Sequence, residues 1–126
     1  MVNSKWGGER LTHKQLEAWK ESINLVIQIY EITRNLPKEE LYGLTGQIRR
    51  SAVSIPSNIA EGCARRTSKD TISFLHVSLG SLAELETQLI IANELGFIKD
   101  IDVNIDKLNH VKKLIVGLIK FHDSKK

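Results

Sequence analysis

Gln47-Ile48-Arg49-Arg50-Ser51-Ala52-Val53-Ser54-Ile55-Pro56-Ser57-Asn58-Ile59-Ala60-Glu61-Gly62 carries two unlike faces, one apolar and one polar. Ile48, Ala52, Ile55, Ile59 and then Cys63 recur at three and four residues. That spacing puts them on one face of a helix. Beside this apolar face runs a polar stripe of Gln47, Ser51, Ser54, Asn58, Glu61 and Arg65. A solvated face is usually rich in Lys and Glu, whereas this one is mostly small and amide-bearing. It suits the close approach of another helix, and its groups must find hydrogen bonds if buried. A polar seam between helices or subunits is the first reading; ligand contact and plain exposure are the alternatives. Pro56 removes a backbone donor and crowds the preceding turn, which predicts a kink, with a break after Ser54 as the competing possibility.

Three more helical segments flank this one. The first runs from about Thr12 to Asn35, where Thr12 and Gln15 fit a capping box. Leu16, Trp19, Ile23, Val26 and Tyr30 form one stripe, and Leu25, Ile29, Ile32 and Leu36 a second on roughly the opposite side. One stripe suffices in a lone bundle. Two predict a second burial surface, most simply a neighbouring subunit, or else an N-terminal arm wrapped over the helix. Pro37 stops this segment, and the next is expected from near Lys38 to about Ala64. The third begins near Thr67 or Ser68, with Ser68 the expected N-cap and Asp70 at the positive end of the helix dipole. Its core face is Ile72, Leu75, Leu79, Leu82, Leu89 and Ile90, and Gly96 is the expected left-handed terminator. The fourth runs from about Asp102 to His122, with Ile105, Leu108, Val111, Ile115, Leu118 and Ile119 inward. Short connections make sequential helices antiparallel. The expected fold is therefore all-α, an antiparallel up-down-up-down four-helix bundle over residues 12–122, with an arm at 1–11 and a tail at 123–126.

Composition agrees with one domain of 126 residues, 41% hydrophobic and 26% charged. No apolar run approaches the ~18 residues of a membrane span, and residues 1–11 hold no apolar signal core. A cytoplasmic protein with no membrane partner is the expectation. The single cysteine, Cys63, excludes an internal disulfide and a multi-cysteine zinc site. Net charge is +3, and it is unevenly spread. Residues 38–66 and 97–126 carry a basic excess, whereas residues 67–96 hold Lys69 against Asp70, Glu84, Glu86 and Glu94.

The candidate functional residues fall into two groups. Glu86 lies in the middle of the Leu75–Leu82–Leu89 face, where a lone charge is expensive. Together with Asn58, Glu61 and Glu84 it suggests a structural polar network shared with Arg49 or Arg50. The second group suits phosphate, which arginine's planar fork and clustered cations favour. It comprises Arg65, Arg66 and Lys69 at the turn into the third segment, with Lys112, Lys113 and Lys120 on the fourth. His13, His76, His110 and His122 show no metal-ligand spacing. No phosphate loop, catalytic triad or carboxylate pair is present, so no catalytic residue, cofactor or metal is expected.

Tyr42-Gly43-Leu44, the run from Gln47 to Gly62, Phe74-Leu75, the run Gly80-Ser81-Leu82-Ala83-Glu84-Leu85-Glu86, and Glu94-Leu95-Gly96 together carry a resemblance. The chain resembles, over about residues 12–122, the bacterial four-helix-bundle family named after proteins encoded in intervening sequences of 23S rRNA genes. That resemblance implies ring-like homopentamers. It also implies kinship with the accessory proteins of diversity-generating retroelements, which are basic and bind nucleic acid and a reverse transcriptase. This chain departs from those accessory proteins in carrying only +3. The expected function is a non-enzymatic oligomeric bundle that serves as an RNA or ribonucleoprotein accessory. The alternative is a protein-interaction or scaffold module in which the polar stripe of the second segment recognises a protein partner.

Overall fold

The computed structural model describes residues 11–125. The expected arm at 1–11 lies outside the described residues except for Leu11, as does Lys126 of the expected tail. The described residues form four α-helices and no strand: α1 (His13–Thr33), α2 (Leu44–Cys63), α3 (Ser68–Glu94) and α4 (Asp102–Asp123). A 3-10 turn, Lys38–Glu40, precedes α2.

Local chemistry sets the boundaries. Thr12 accepts from the Gln15 amide at 3.2 Å, and the Gln15 side chain accepts from the Thr12 amide at 2.9 Å. This is the capping box read from the sequence. At the end of α3, Gly96 takes a φ of 79°. Phe97 N then donates to Ala92 O at 2.9 Å and Gly96 N to Asn93 O at 3.0 Å, a Schellman closure. Gly96→Ala should lower stability by about 1 kcal/mol, because a Cβ disfavours the left-handed region; a urea midpoint shift measures it. Asn93 Nδ2 donates to the carbonyls of Ile98 and Lys99 at 2.8 and 3.0 Å and pins the connection that follows.

Two expected boundaries move. α2 begins at Leu44 rather than near Lys38, because the chain turns at Leu41–Gly43 before the apolar periodicity resumes. Thr67, not Ser68, caps α3, its side chain accepting from Asp70 N at 3.1 Å. α2 runs unbroken through Pro56, which overturns a break after Ser54. Side-chain donors bond the three carbonyls just before Pro56. Ser57 Oγ donates to Val53 O, Asn58 Nδ2 to Ser54 O and Ser78 Oγ to Ile55 O, at 2.8, 2.8 and 2.9 Å.

Each helix packs on its two neighbours, α1 on α2 and α4, α3 on α2 and α4. Cross-links fix the directions. Ser54 meets Ser81 and Gly62 meets Thr71, so α2 and α3 are antiparallel. Gln15 meets His122 and Gln28 meets Asn104, so α1 and α4 are antiparallel too. The centre is filled by fully buried side chains from every helix, among them Leu25, Ile29, Ile48, Ile55, Leu82, Leu89, Leu108 and Ile115. Burying each such side chain contributes about 1.5–3 kcal/mol. Ile90 leaves the expected core face and is 49% exposed, while Leu85 is fully buried in its place. Cys63 is half-buried on the apolar edge, where burial pushes its thiol up to about 11.

Candidate nucleic-acid interface

The small polar residues of α2 are largely spent inside the bundle. Ser54 Oγ and Ser81 Oγ lie 2.8 Å apart, and Asn58 Nδ2 donates to Ser54 Oγ at 3.0 Å. Thr71 Oγ1 donates to Gly62 O at 2.8 Å. A Cβ on Gly62 would stand 2.8 Å from Phe74 Cβ and 3.1 Å from Thr71 O. Serine and glycine therefore let α2 and α3 approach closely, the seam that the stripe suggests.

The polar network expected among Arg49, Arg50, Asn58, Glu61, Glu84 and Glu86 does not form as one connected set. Arg49 turns to α1: Nε donates to Thr33 Oγ1 at 2.9 Å and Nη2 to Tyr30 O at 3.4 Å. Its guanidinium carbon sits 4.5 Å from the Tyr30 ring centroid. A cation is favoured at a helix C-terminus, and Arg49 supplies the one that α1 lacks in its own last turn. Glu61 pairs with Arg65 at 3.0 Å, one turn on, with side chains 54% and 43% exposed. Asn58 is held by Ser54. Arg50 and Glu84 are exposed beside the α2–α3 groove, and Glu86 is half-buried at the edge of the core rather than enclosed. Solvent reaches each carboxylate, so no buried counter-charge is needed. Glu61→Ala should accordingly change stability by only about 0–1 kcal/mol, as exposed pairs do.

The phosphate candidates come together more closely. The turn after α2 carries Arg65 and Arg66, and the first turn of α3 carries Lys69. Because α4 is antiparallel to its neighbours, Lys120 arrives at this same end of the bundle. Lys14 in the first turn of α1 and Lys125 after α4 also reach it, and the sequence reading missed both. Lys14 Nζ and Lys125 Nζ lie 5.5 and 4.5 Å from the centroid of the half-buried Phe121 ring. Arg65 is partly engaged, being bonded to Glu61 and 4.6 Å over the Phe74 ring. Arg66, Lys69 and Lys120 are exposed. Lys112 and Lys113 are exposed as well but lie about two helical turns further along α4, away from this end. Among the described residues no group of three His, Cys, Asp or Glu side chains could hold a metal ion, and no helix is long and apolar enough to cross a membrane.

The family model for the 23S rRNA-intervening sequence protein matches residues 14–117, from the first turn of α1 to the last two turns of α4. The chain belongs to that family. Comparison with curated proteins finds no match. In this member of the 23S rRNA-intervening sequence protein family, the matched span contains Lys14, Arg65, Arg66 and Lys69. Lys120 and Lys125 lie beyond it.

The same end of this family member holds a buried polar link. Gln15 Nε2 donates to His122 Nε2 at 3.1 Å, tying the start of α1 to the end of α4. Burial lowers the His122 pKa below its ordinary 6.5, and the nearby Lys125 charge lowers it further. The neutral ring is thus the folded form, and it must be neutral to accept from Gln15. The unfolded chain binds this proton more readily, so the contribution to stability is complete above the ordinary value and is lost as pH falls through the depressed one. Going from about pH 7.5 to about pH 5 should lower the urea midpoint by more in the wild type than in His122→Gln. Equal losses in the two proteins would deny His122 this role.

Proposed function

We propose that the protein is a non-enzymatic accessory protein of the cytoplasm. It assembles from identical subunits, five by the resemblance to its family, and holds RNA on its basic end. The gathering of Lys14, Arg66, Lys69, Lys120 and Lys125 at one end of the bundle supports this reading more than any other feature. No single subunit offers enough cation for strong binding, since the chain carries only +3 in all. Repetition around an assembly compensates. Weak contacts add through effective concentration wherever one RNA spans several subunits. Contacts to phosphate carry no sequence information, so binding without sequence preference follows.

Fluorescence anisotropy with labelled RNA between about 50 and 300 mM salt tests this. Each phosphate contact contributes about 0.7–0.9 to the slope of log affinity against log salt. The triple variant Arg66→Ala/Lys69→Ala/Lys120→Ala should remain assembled, bind more weakly and show a shallower slope. Binding as tight as the wild type removes this end from the proposal.

A second reading rests on a different observation. Most of the large apolar side chains left exposed, including Ile27, Tyr42, Ile90, Leu95 and Val103, lie toward the opposite end. Exposed apolar clusters mark protein contacts. A scaffold that captures a protein partner there, insensitive to salt and without RNA, is the outcome that would replace RNA binding.

A further inference from the structure

Phe121 lies in the last turn of α4, half-buried beside the Gln15–His122 link. Its ring meets the His122 ring edge to face, with centroids 5.2 Å apart and planes at 81°. The chain around it is fastened. Ser124 Oγ donates to Phe121 O at 2.7 Å and Lys125 N to His122 O at 3.1 Å. Those bonds keep Lys125 one turn beyond Phe121 on the same side of the helix. On α1 the buried Gln15 side chain anchors the residue before it, Lys14, to the same spot. Lys14 Nζ and Lys125 Nζ thus come from two elements to one ring. Both are within the ~6 Å over which a ring face attracts a cation.

A phenyl ring holds a cation without neutralising it. Among the described residues neither lysine forms an ion pair. Arg65 at the same end is the contrast, because Glu61 pairs with it at 3.0 Å and offsets its charge. The two ammonium groups also repel each other. Lys14 adds to that cost by standing in the first turn of α1, where a carboxylate is favoured and none is present. An anion arriving from outside would remove the cost.

We propose that Phe121 is the positioning residue of an anion subsite, in which Lys14 and Lys125 act as a pair on the phosphate backbone of RNA. This rests on the reading that the basic end holds RNA, and it names where that end is preorganised. A lysine stem samples many rotamers and loses them when it is fixed on a phosphate. Held against the ring, Lys14 and Lys125 lose less at that step. Phe121 carries no charge and acts through the two lysines.

Fluorescence anisotropy with a labelled single-stranded RNA at about 50 mM salt tests this on full-length variants. Phe121→Leu keeps the apolar bulk and every charge but loses the ring, whereas Phe121→Tyr keeps the ring. Lys14→Gln/Lys125→Gln keeps the ring and loses the pair. Circular dichroism and urea midpoints check that each folds. Phe121→Leu should bind at least about twofold more weakly than the wild type, the low end for one exposed cation–ring contact. Phe121→Tyr should bind as the wild type does. Adding Phe121→Leu to the lysine double variant should weaken binding no further, because the ring acts only through those lysines. A folded Phe121→Leu that binds as tightly as the wild type overturns the proposal. So does a Phe121→Leu loss that adds in full to that of the lysine variant, which would make the ring a contact for bases in its own right. Should Phe121→Leu fail to fold, NMR of the wild type decides. Ring-current shifts of the Lys14 and Lys125 ε-methylene protons that change when RNA is added support the pair, and resonances where exposed lysines ordinarily fall overturn it. These results leave RNA binding in place, whereas a wild type that binds no RNA removes that reading and this subsite together.

Discussion

Replacing Gly62 by alanine should lower stability by about 1–3 kcal/mol, although alanine is the better helix former. Taken alone, the change inside α2 would favour the helix by about 1 kcal/mol. The site does not allow that gain. The added methyl would stand 2.8 Å from Phe74 Cβ and 3.1 Å from the Thr71 carbonyl. Neither neighbour is the mobile end of a side chain, so α2 and α3 must separate at their turn. Separation also lengthens the bond from Thr71 Oγ1 to Gly62 O, now 2.8 Å, which is buried and costly to lose. Gly80→Ala is the matched comparison, because its Cβ would meet nothing. Within one subunit it should stabilise α3 by about 0.5–1 kcal/mol. Urea midpoints moving in opposite directions for the two variants confirm the difference; a stabilised Gly62→Ala would show that the seam is loose.

Ile55→Ala should lower stability by about 2–5 kcal/mol. Ile55 has no exposed surface and sits one residue before Pro56. The lost transfer free energy is joined by the cost of the cavity, since helices on both sides of α2 restrict collapse. The turn is also constrained locally. Ser78 Oγ donates to the Ile55 carbonyl, and proline fixes the backbone beside it. A chemical denaturation series reads this directly. A loss below about 1 kcal/mol would mean that the core around Ile55 relaxes freely, contrary to its packing.

The features legible in the sequence are those whose partners lie within a turn or two along the chain. Thr12 and Gln15 announce a capping box because both halves are three residues apart. Gly96 announces its left-handed turn for the same reason. The periodic isoleucines of α2 locate its core face, since Ile48, Ile55 and Ile59 are all fully buried. What was not legible depends on which helices meet and at what height. Arg49 belongs to the last turn of α1, sixteen residues back, so its neighbour in sequence, Arg50, could not be told from it. The Gln15–His122 link spans 107 residues and has no local signature. Glu61–Arg65 was open to reading, because i,i+4 pairs of opposite charge are a known helix feature. The buried network suggested by Glu86 and its apolar neighbours has no such local signature. The two stripes of α1 predict a second burial surface there. Of the first stripe Tyr30 is 40% exposed, whereas Leu25 and Ile29 of the second are fully buried in the bundle core. The basic end was half legible: Arg65, Arg66 and Lys69 are adjacent in sequence, whereas Lys14, Lys120 and Lys125 join them only through the antiparallel course of α1 and α4.

Sedimentation velocity of labelled RNA with the wild-type protein reads assembly and RNA binding in one experiment. At about 50 mM salt the RNA boundary should move with several subunits, and at about 300 mM it should return to the rate of free RNA while the protein stays assembled, as counterion release requires. RNA that sediments as free RNA at both salt concentrations, beside a protein of 14.2 kDa, would overturn both assembly and RNA binding.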